Sequence, residues 1–306
     1  MKILVATEKA FAPVAVRQIR LIVESAGYHL RLLENYKSTS ELLSAVTDAD
    51  ALIVRSDIVN PEILDAATKL KIVIRAGAGY DNLDLDACTA HNVVAMNTPG
   101  QNSNAVAELV FELMLYHARL GFSGKSGSEL RGKTMGVHAF GNVGKFVAGI
   151  AKGFGMDTYA HDPFVPGEVI RASGVKVCWR AEELYSKCRY VSLHLPANDM
   201  TGKTIGYDLL KRMPDDAVLI NTARKEIINE DDLLKIFEER PDFSYLADIE
   251  PDCKNVFEEK YRGRYIFTEK KMGAQTEEAN LNAGVAAAHQ IVDFFKTGNQ
   301  KFRLNK

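Results

Sequence analysis

The 306-residue chain lacks any long hydrophobic run. A membrane-spanning helix needs roughly 20 consecutive apolar residues and a secretory leader roughly 7–15. The apolar stretch inside Met1–Phe11 is about five residues long, so it reads as a first strand and the expected compartment is the cytoplasm. Charge of one sign is also missing: 38 Lys and Arg face 40 Asp and Glu, a net charge of −2. That leaves no broad electrostatic footprint for nucleic acid or for a membrane surface, so any anion must be held by local groups. Cysteine is scarce. Cys88, Cys178, Cys188 and Cys253 show neither a C-x-x-C pair nor a His/Cys metal spacing, which points to reduced thiols, no disulfide framework and no metal site. Repeats and low-complexity blocks are absent as well.

What remains is ordinary globular material, 46% hydrophobic and 25% charged. Single cores stop growing near roughly 250–300 residues, so two domains are expected. Short apolar runs alternate with helical patterns. Lys2–Ala6, Tyr28–Leu33, Ala51–Val54 and Leu70–Ile74 read as strands. Pro13–Ala26, Ser40–Thr47 and Pro61–Leu70 read as helices. All-apolar strands such as Ala51–Val54 fit a parallel sheet covered on both faces. After a loop-rich Asn97–Asn104, a helix near Ala105–Leu120 and a glycine- and serine-rich Gly121–Ser128, a second α/β series begins at Lys133. Its strands lie near Lys133–His138, Asp157–His161, Tyr190–Leu195, Ala217–Ile220 and Tyr245–Asp248, and a last helix covers about Thr276–Thr297. The expected fold class is α/β, with two Rossmann-like, doubly wound parallel-sheet domains and an interdomain cleft. Residues 1–100 plus 280–306 would form one domain and residues 101–279 the other.

The strongest local motif is Gly136-Val-His-Ala139-Phe140-Gly141-Asn142-Val143-Gly144, between a strand and a helix. A dinucleotide pyrophosphate needs a tight turn, a bare backbone and a helix N-terminus with free N–H groups. Gly141 and Gly144 supply the last two glycines of G-x-G-x-x-G, while Ala139 stands where the first belongs. Asp162, in His161-Asp-Pro163, lies about 20 residues further on, where an acidic side chain meets the ribose hydroxyls. Its charge would repel a 2′-phosphate, which favours NAD over NADP. A turn residue before proline is the other reading of Asp162.

Seven further segments occur in one order: Val54-Arg55-Ser56; Arg75-Ala-Gly77-Ala78-Gly79-Tyr-Asp-Asn82; Asn97-Thr-Pro99 with Ala107-Glu108; Arg131–Gly136; Ser192-Leu-His194-Leu195-Pro196; Ile220-Asn-Thr222-Ala223-Arg224; and Gly273–Ala279. Together they resemble the D-isomer-specific 2-hydroxyacid dehydrogenases, from about residue 50 to about residue 290. Within that family the arginine pattern and the length are similar to the short 3-phosphoglycerate-oxidising members without a C-terminal regulatory domain. The resemblance implies NAD-dependent oxidation of 3-phosphoglycerate to 3-phosphohydroxypyruvate, the first step of serine synthesis, by a homodimer.

The resemblance also implies roles. Arg224 grips the substrate carboxylate, as a planar guanidinium suits. The Gly77-Ala78-Gly79 backbone donates N–H groups to the same carboxylate, and Arg55 with Ser56 meets the phosphate end. Phe140, Gly141, Asn142, Val143, Asp162, Pro163, His194, Leu195, Pro196, Thr201, Thr222, Ala223 and Gly273 surround the cofactor, and Asp248 meets its carboxamide. Two departures stand out. Where the family has a histidine acid/base, this chain has Thr268-Glu-Lys-Lys-Met-Gly-Ala274, with Lys271 in the aligned place and Lys270 as its rival. To accept a proton the lysine must be a neutral amine, so its pKa must fall from about 10.4 toward neutrality, which desolvation and neighbouring positive charge favour. The family's carboxylate partner falls on Cys253 without a gap, or on Glu250 if Asp248-Ile-Glu-Pro251 marks a short deletion. Two alternatives stay open: a glyoxylate or hydroxypyruvate reductase, and a non-catalytic NAD-sensing protein on the same fold.

Overall fold

A computed structural model describes residues 1–306 as two units, one of residues 1–102 with 275–306 and the other of residues 103–274. The second boundary lies at 274/275 rather than the expected 279/280, because the last helix belongs whole to the unit that holds both termini. We call these the terminal and the inserted unit.

The terminal unit runs β1 (Lys2–Thr7), α1 (Pro13–Ser25), β2 (His29–Glu34), α2 (Thr39–Val46), β3 (Ala51–Val54), α3 (Pro61–Ala66), β4 (Ile72–Arg75), α4 (Leu85–Ala90) and β5 (Val94–Asn97). All strands pair in parallel in the order β2-β1-β3-β4-β5. This is the flavodoxin-like doubly wound order. The central strand β3 is buried at every position, and β1 and β4 are buried at all but one, as a sheet covered on both faces demands. Proline at the first helical position starts α1, whose Ala15, Ile19 and Val23 repeat every four residues and face the core. Ser38 and Glu41 close a capping box at the start of α2.

The inserted unit runs α5 (Ser103–Ala118), β6 (Thr134–His138), α6 (Asn142–Gly153), β7 (Asp157–His161), α7 (Gly167–Ala172), β8 (Lys176–Val177), α8 (Ala181–Lys187), β9 (Tyr190–Leu193), α9 (Tyr207–Leu210), β10 (Val218–Asn221), α10 (Glu230–Glu239), β11 (Ser244–Ala247), α11 (Lys254–Lys260) and β12 (Tyr265–Phe267). Its seven parallel strands follow the order β12-β11-β10-β9-β6-β7-β8. Counted from β6, this is the dinucleotide-fold order with one more strand at the far edge. The chain then enters α12 (Glu277–Thr297) of the terminal unit. Thr276 caps α12 by accepting the Ala279 N–H at 3.1 Å, and Gly298 ends it at φ 75°. Ala283, Ala287, Ala288 and Ile291 of α12 share a core with Ile19 and Val23 of α1. Each fully buried valine or isoleucine there contributes about 1.5–3 kcal/mol, and the alanines less. No helix is long and apolar enough to cross a membrane.

Candidate active site

In the inserted unit the glycine loop joins β6 to α6. Ala139 takes φ 77°, a conformation L side chains resist, so the turn that usually carries glycine forms here at a strain cost. Gly144 must stay bare, because a Cβ would lie 2.3 Å from the Ala139 carbonyl oxygen and 2.9 Å from Val137. Gly141 is the N-cap, no side chain caps the helix, and no acidic residue occupies its first turn. The N–H groups of Asn142, Val143 and Gly144 therefore point outward with no intrahelical acceptor. Phe140 places its side chain in the core, fully buried, so only its backbone belongs to the loop.

Asp162, at the end of β7, accepts the Phe140 N–H at 2.7 Å and the Phe164 N–H at 2.8 Å, one on each oxygen. Each oxygen keeps a second lone pair for a ribose hydroxyl. A bare helix N-terminus beside a fixed carboxylate fits a dinucleotide. Three histidines end the neighbouring strands. His138 meets Tyr185 Oη at 3.2 Å, His161 donates from Nδ1 to the Cys178 carbonyl at 3.0 Å, and His194 meets Ser192 Oγ at 3.0 Å. Burial, then the adjacent His161 and His194, pushes His138 down to about 3; burial alone pushes His194 down to about 3. Both imidazoles are neutral at working pH. Thr201 donates to the Pro196 carbonyl at 2.5 Å and so closes the loop after Leu195. The buried Thr222 hydroxyl has no protein partner.

Arg224 follows β10. Asn221 places it, accepting the Ala223 N–H at 3.0 Å and donating to the Arg224 carbonyl at 2.9 Å. Asp248, at the end of β11 and only 3% exposed, accepts the Thr268 hydroxyl at 2.8 Å and the Met272 and Gly273 N–H groups at 2.7 and 2.8 Å. About three of its four lone-pair positions are thus occupied by the segment that carries Lys271, whose side chain is exposed, as is that of Lys270. Glu250, half-buried, pairs with Lys254 at 2.5 Å. Burial, then Glu230, pushes the Cys253 thiol up to about 12, so it cannot supply a negative charge at neutral pH.

In the terminal unit the corresponding feature is the 77–79 loop after β4. Gly77 has φ 148°, and a Cβ there would overlap the Arg75 guanidinium, 1.5 Å from Nη1. Asn97 Nδ2 donates to the Ala78 carbonyl at 2.6 Å, and the Thr98 N–H donates to the Gly77 carbonyl at 3.0 Å. Arg55 lies with its guanidinium 5.2 Å from the Phe11 ring centre and donates to the Lys9 and Ala10 carbonyls at 3.0 and 3.3 Å, and to Asn280. Ser56 is exposed beside it. Asn221, Asn97 and Asp57 have no role in the sequence reading, although Asn97 and Asn221 lie inside the family segments. The signal all three share is a polar residue at or shortly past the carboxyl end of a parallel strand, where turns need side-chain partners.

The family model for the D-isomer specific 2-hydroxyacid dehydrogenase, NAD binding domain, matches residues 115–255. A hydroxypyruvate reductase of Thermotoga maritima is 30% identical over 282 residues, 86% of this chain and 90% of that protein. The chain belongs to the D-isomer-specific 2-hydroxyacid dehydrogenase family. The D-3-phosphoglycerate dehydrogenase of Methanocaldococcus jannaschii is 35% identical over 82% of this chain and 51% of its own length. The chain thus spans about half the length of the first curated relatives it matches. The crystal structure of cofactor (NAD+)-bound 3-phosphoglycerate dehydrogenase of Entamoeba histolytica is 47% identical, with a TM-score of 0.89, and the match covers 100% of this chain and 99% of that one.

Proposed function

We propose that this protein is an NAD-dependent dehydrogenase that oxidises D-3-phosphoglycerate at C2 to 3-phosphohydroxypyruvate, the first step of serine synthesis. The observation that carries this reading is the end-to-end similarity, at 47% identity, to a 3-phosphoglycerate dehydrogenase with NAD+ bound. The bare N-terminus of α6 would hold the pyrophosphate and Asp162 the adenosine ribose. Leu195, Pro196, Thr222, Ala223 and Gly273 would line the remainder. When bound there, NAD would supply a hydride acceptor for C2 in oxidation and a donor in reduction.

The chain supplies charge and proton handling. In the terminal unit, the 77–79 backbone receives the carboxylate and Arg55 the phosphate. In the inserted unit, Arg224 grips the carboxylate and draws electron density from the reacting oxygen. Lys271 accepts the hydroxyl proton in oxidation and donates it to the developing alkoxide in reduction. Glu250 is the carboxylate we assign to tune Lys271, since the Cys253 thiol stays neutral.

NADH should form faster with D-3-phosphoglycerate than with D-glycerate or D-lactate. Lys271→Ala should lower turnover by roughly 10²–10⁴ with NADH binding retained. A loss within about threefold removes Lys271 from the chemistry. The Thermotoga relative favours a second reading, hydroxypyruvate reduction. Equal kcat/KM for phosphorylated and phosphate-free acids would decide for it.

We also propose a homodimer. Tyr116, Leu120 and Phe122 of the inserted unit are exposed at 43%, 48% and 73%, and Leu120 and Phe122 both hold positive φ. Strained, exposed apolar residues in one patch suit an interface. A monomeric mass by light scattering at micromolar concentration would overturn it.

A further inference from the structure

Asp57 is a carboxylate only 6% exposed, two residues past Arg55. Its Oδ1 accepts the Glu8 N–H and the Tyr36 hydroxyl, each at 2.7 Å, and its Oδ2 accepts the Arg55 N–H at 3.1 Å. These donors come from just past the ends of β1, β2 and β3. The Asp57 carbonyl takes a fourth bond, from Asn82 Nδ2 at 2.6 Å, in the segment after β4. One buried residue therefore ties together the loops beyond four adjacent parallel strands, at the edge where ligands of doubly wound sheets bind.

The Arg55 guanidinium rests on the Lys9 and Ala10 carbonyls. Those carbonyls belong to the loop that Asp57 holds through the Glu8 N–H. Asp57 thus fixes Arg55 at both ends, directly through its backbone N–H and indirectly through the carbonyls under its side chain. A buried carboxylate with three donors is costly to disturb, because a lost partner leaves charge unsatisfied. Its negative charge also supports the cationic form of Arg55 against the burial that disfavours it. Tyr36 is 7% exposed; burial first, then Asp57, raises its phenol well above the ordinary value, so it remains a donor.

We infer that Asp57, with Tyr36, is a positioning residue that sets the aim of Arg55 and so the preference for a phosphorylated over a phosphate-free 2-hydroxy acid. This rests on the reading of Arg55 given under the proposed function.

The test compares KM for D-3-phosphoglycerate and for D-glycerate in the full-length enzyme carrying Asp57→Asn, Tyr36→Phe or Arg55→Met. In Asp57→Asn an amide N–H₂ must face a donor on one side or the other. KM for the phosphorylated acid should rise about tenfold, with kcat and KM for D-glycerate within about twofold. Tyr36→Phe removes one donor and keeps both backbone bonds, so the same selective rise should be about threefold. It also serves if Asp57→Asn fails to fold. Arg55→Met must raise the KM ratio; if it leaves the ratio unchanged, the reading of Arg55 fails and this inference falls with it. If Arg55→Met raises the ratio while both other variants change the two substrates equally, or only lower Tm, Asp57 is structural and this inference alone is overturned.

Discussion

Two glycine-rich loops, one in each unit, end a parallel strand at the same kind of sheet edge, yet they are built on different physics. In the inserted unit the 139–144 loop opens a helix of 12 residues, and its anion-binding capacity comes from backbone N–H groups and the helix dipole. In the terminal unit the 77–79 loop opens no helix at once, since α4 begins only at Leu85. There the loop lies under the Arg75 side chain. A loop backed by a helix adds the dipole and several aligned N–H groups and suits a doubly charged pyrophosphate. A loop with no helix behind it offers only its own N–H groups and suits a single carboxylate.

Substitution at the two crowded glycines separates these designs. Gly144→Ala should have the largest effect, because its Cβ meets a backbone oxygen at 2.3 Å that cannot swing away. NADH binding should weaken more than about 30-fold by fluorescence titration, roughly 2 kcal/mol. Gly77→Ala should do less. Its nearest obstacle is the end of a flexible arginine, and the φ of 148° adds strain on the order of 1–3 kcal/mol. KM for the hydroxy acid should rise about tenfold with NADH binding near wild type. If NADH binding responds equally to both, the contrast between the loops is wrong.

A smaller difference concerns acid. His138 and His194, both near pKa 3 when folded, lie in the inserted unit. Between their folded values and about 6.5 the unfolded chain binds more protons, so stability rises with pH across that window and is lost on acidification. His91 of the terminal unit is raised instead, by its hydrogen bond to Asp65, and contributes in the opposite sense. Trp179 is the single tryptophan and sits in the inserted unit, so its fluorescence follows that unit. Urea unfolding of the ligand-free protein should show a loss on the order of 2–5 kcal/mol from pH 7 to 4.5 by this signal. His138→Gln should halve the slope; an unchanged slope would clear the histidines of it.

Most long elements were legible because their patterns are local. Strands such as Ala51–Val54 and helices such as α1 and α12 declare themselves by periodicity, proline and caps. Short elements were not. The pattern gives no strand at Val94–Asn97, Lys176–Val177 or Tyr265–Phe267 and no helix at Leu85–Ala90, and it puts Asn97 in a loop although that residue ends β5. Such pieces carry too few residues for a period and exist because a neighbouring strand pairs with them.

The sequence alone determined the alternating α/β order, the glycine loop, the placement of Asp162 and Arg224 in family motifs, and Lys271 where the family has histidine, since each depends on residues close along the chain. Only the tertiary structure decided which partners those groups have. It gave Asp248 to the lysine segment rather than leaving it open, and it gave Asp57, which supports Arg55, to Glu8 and Tyr36. The reason is physical. A buried carboxylate takes whichever donors the packed strand ends bring within about 3 Å, and those donors lie tens of residues away in sequence.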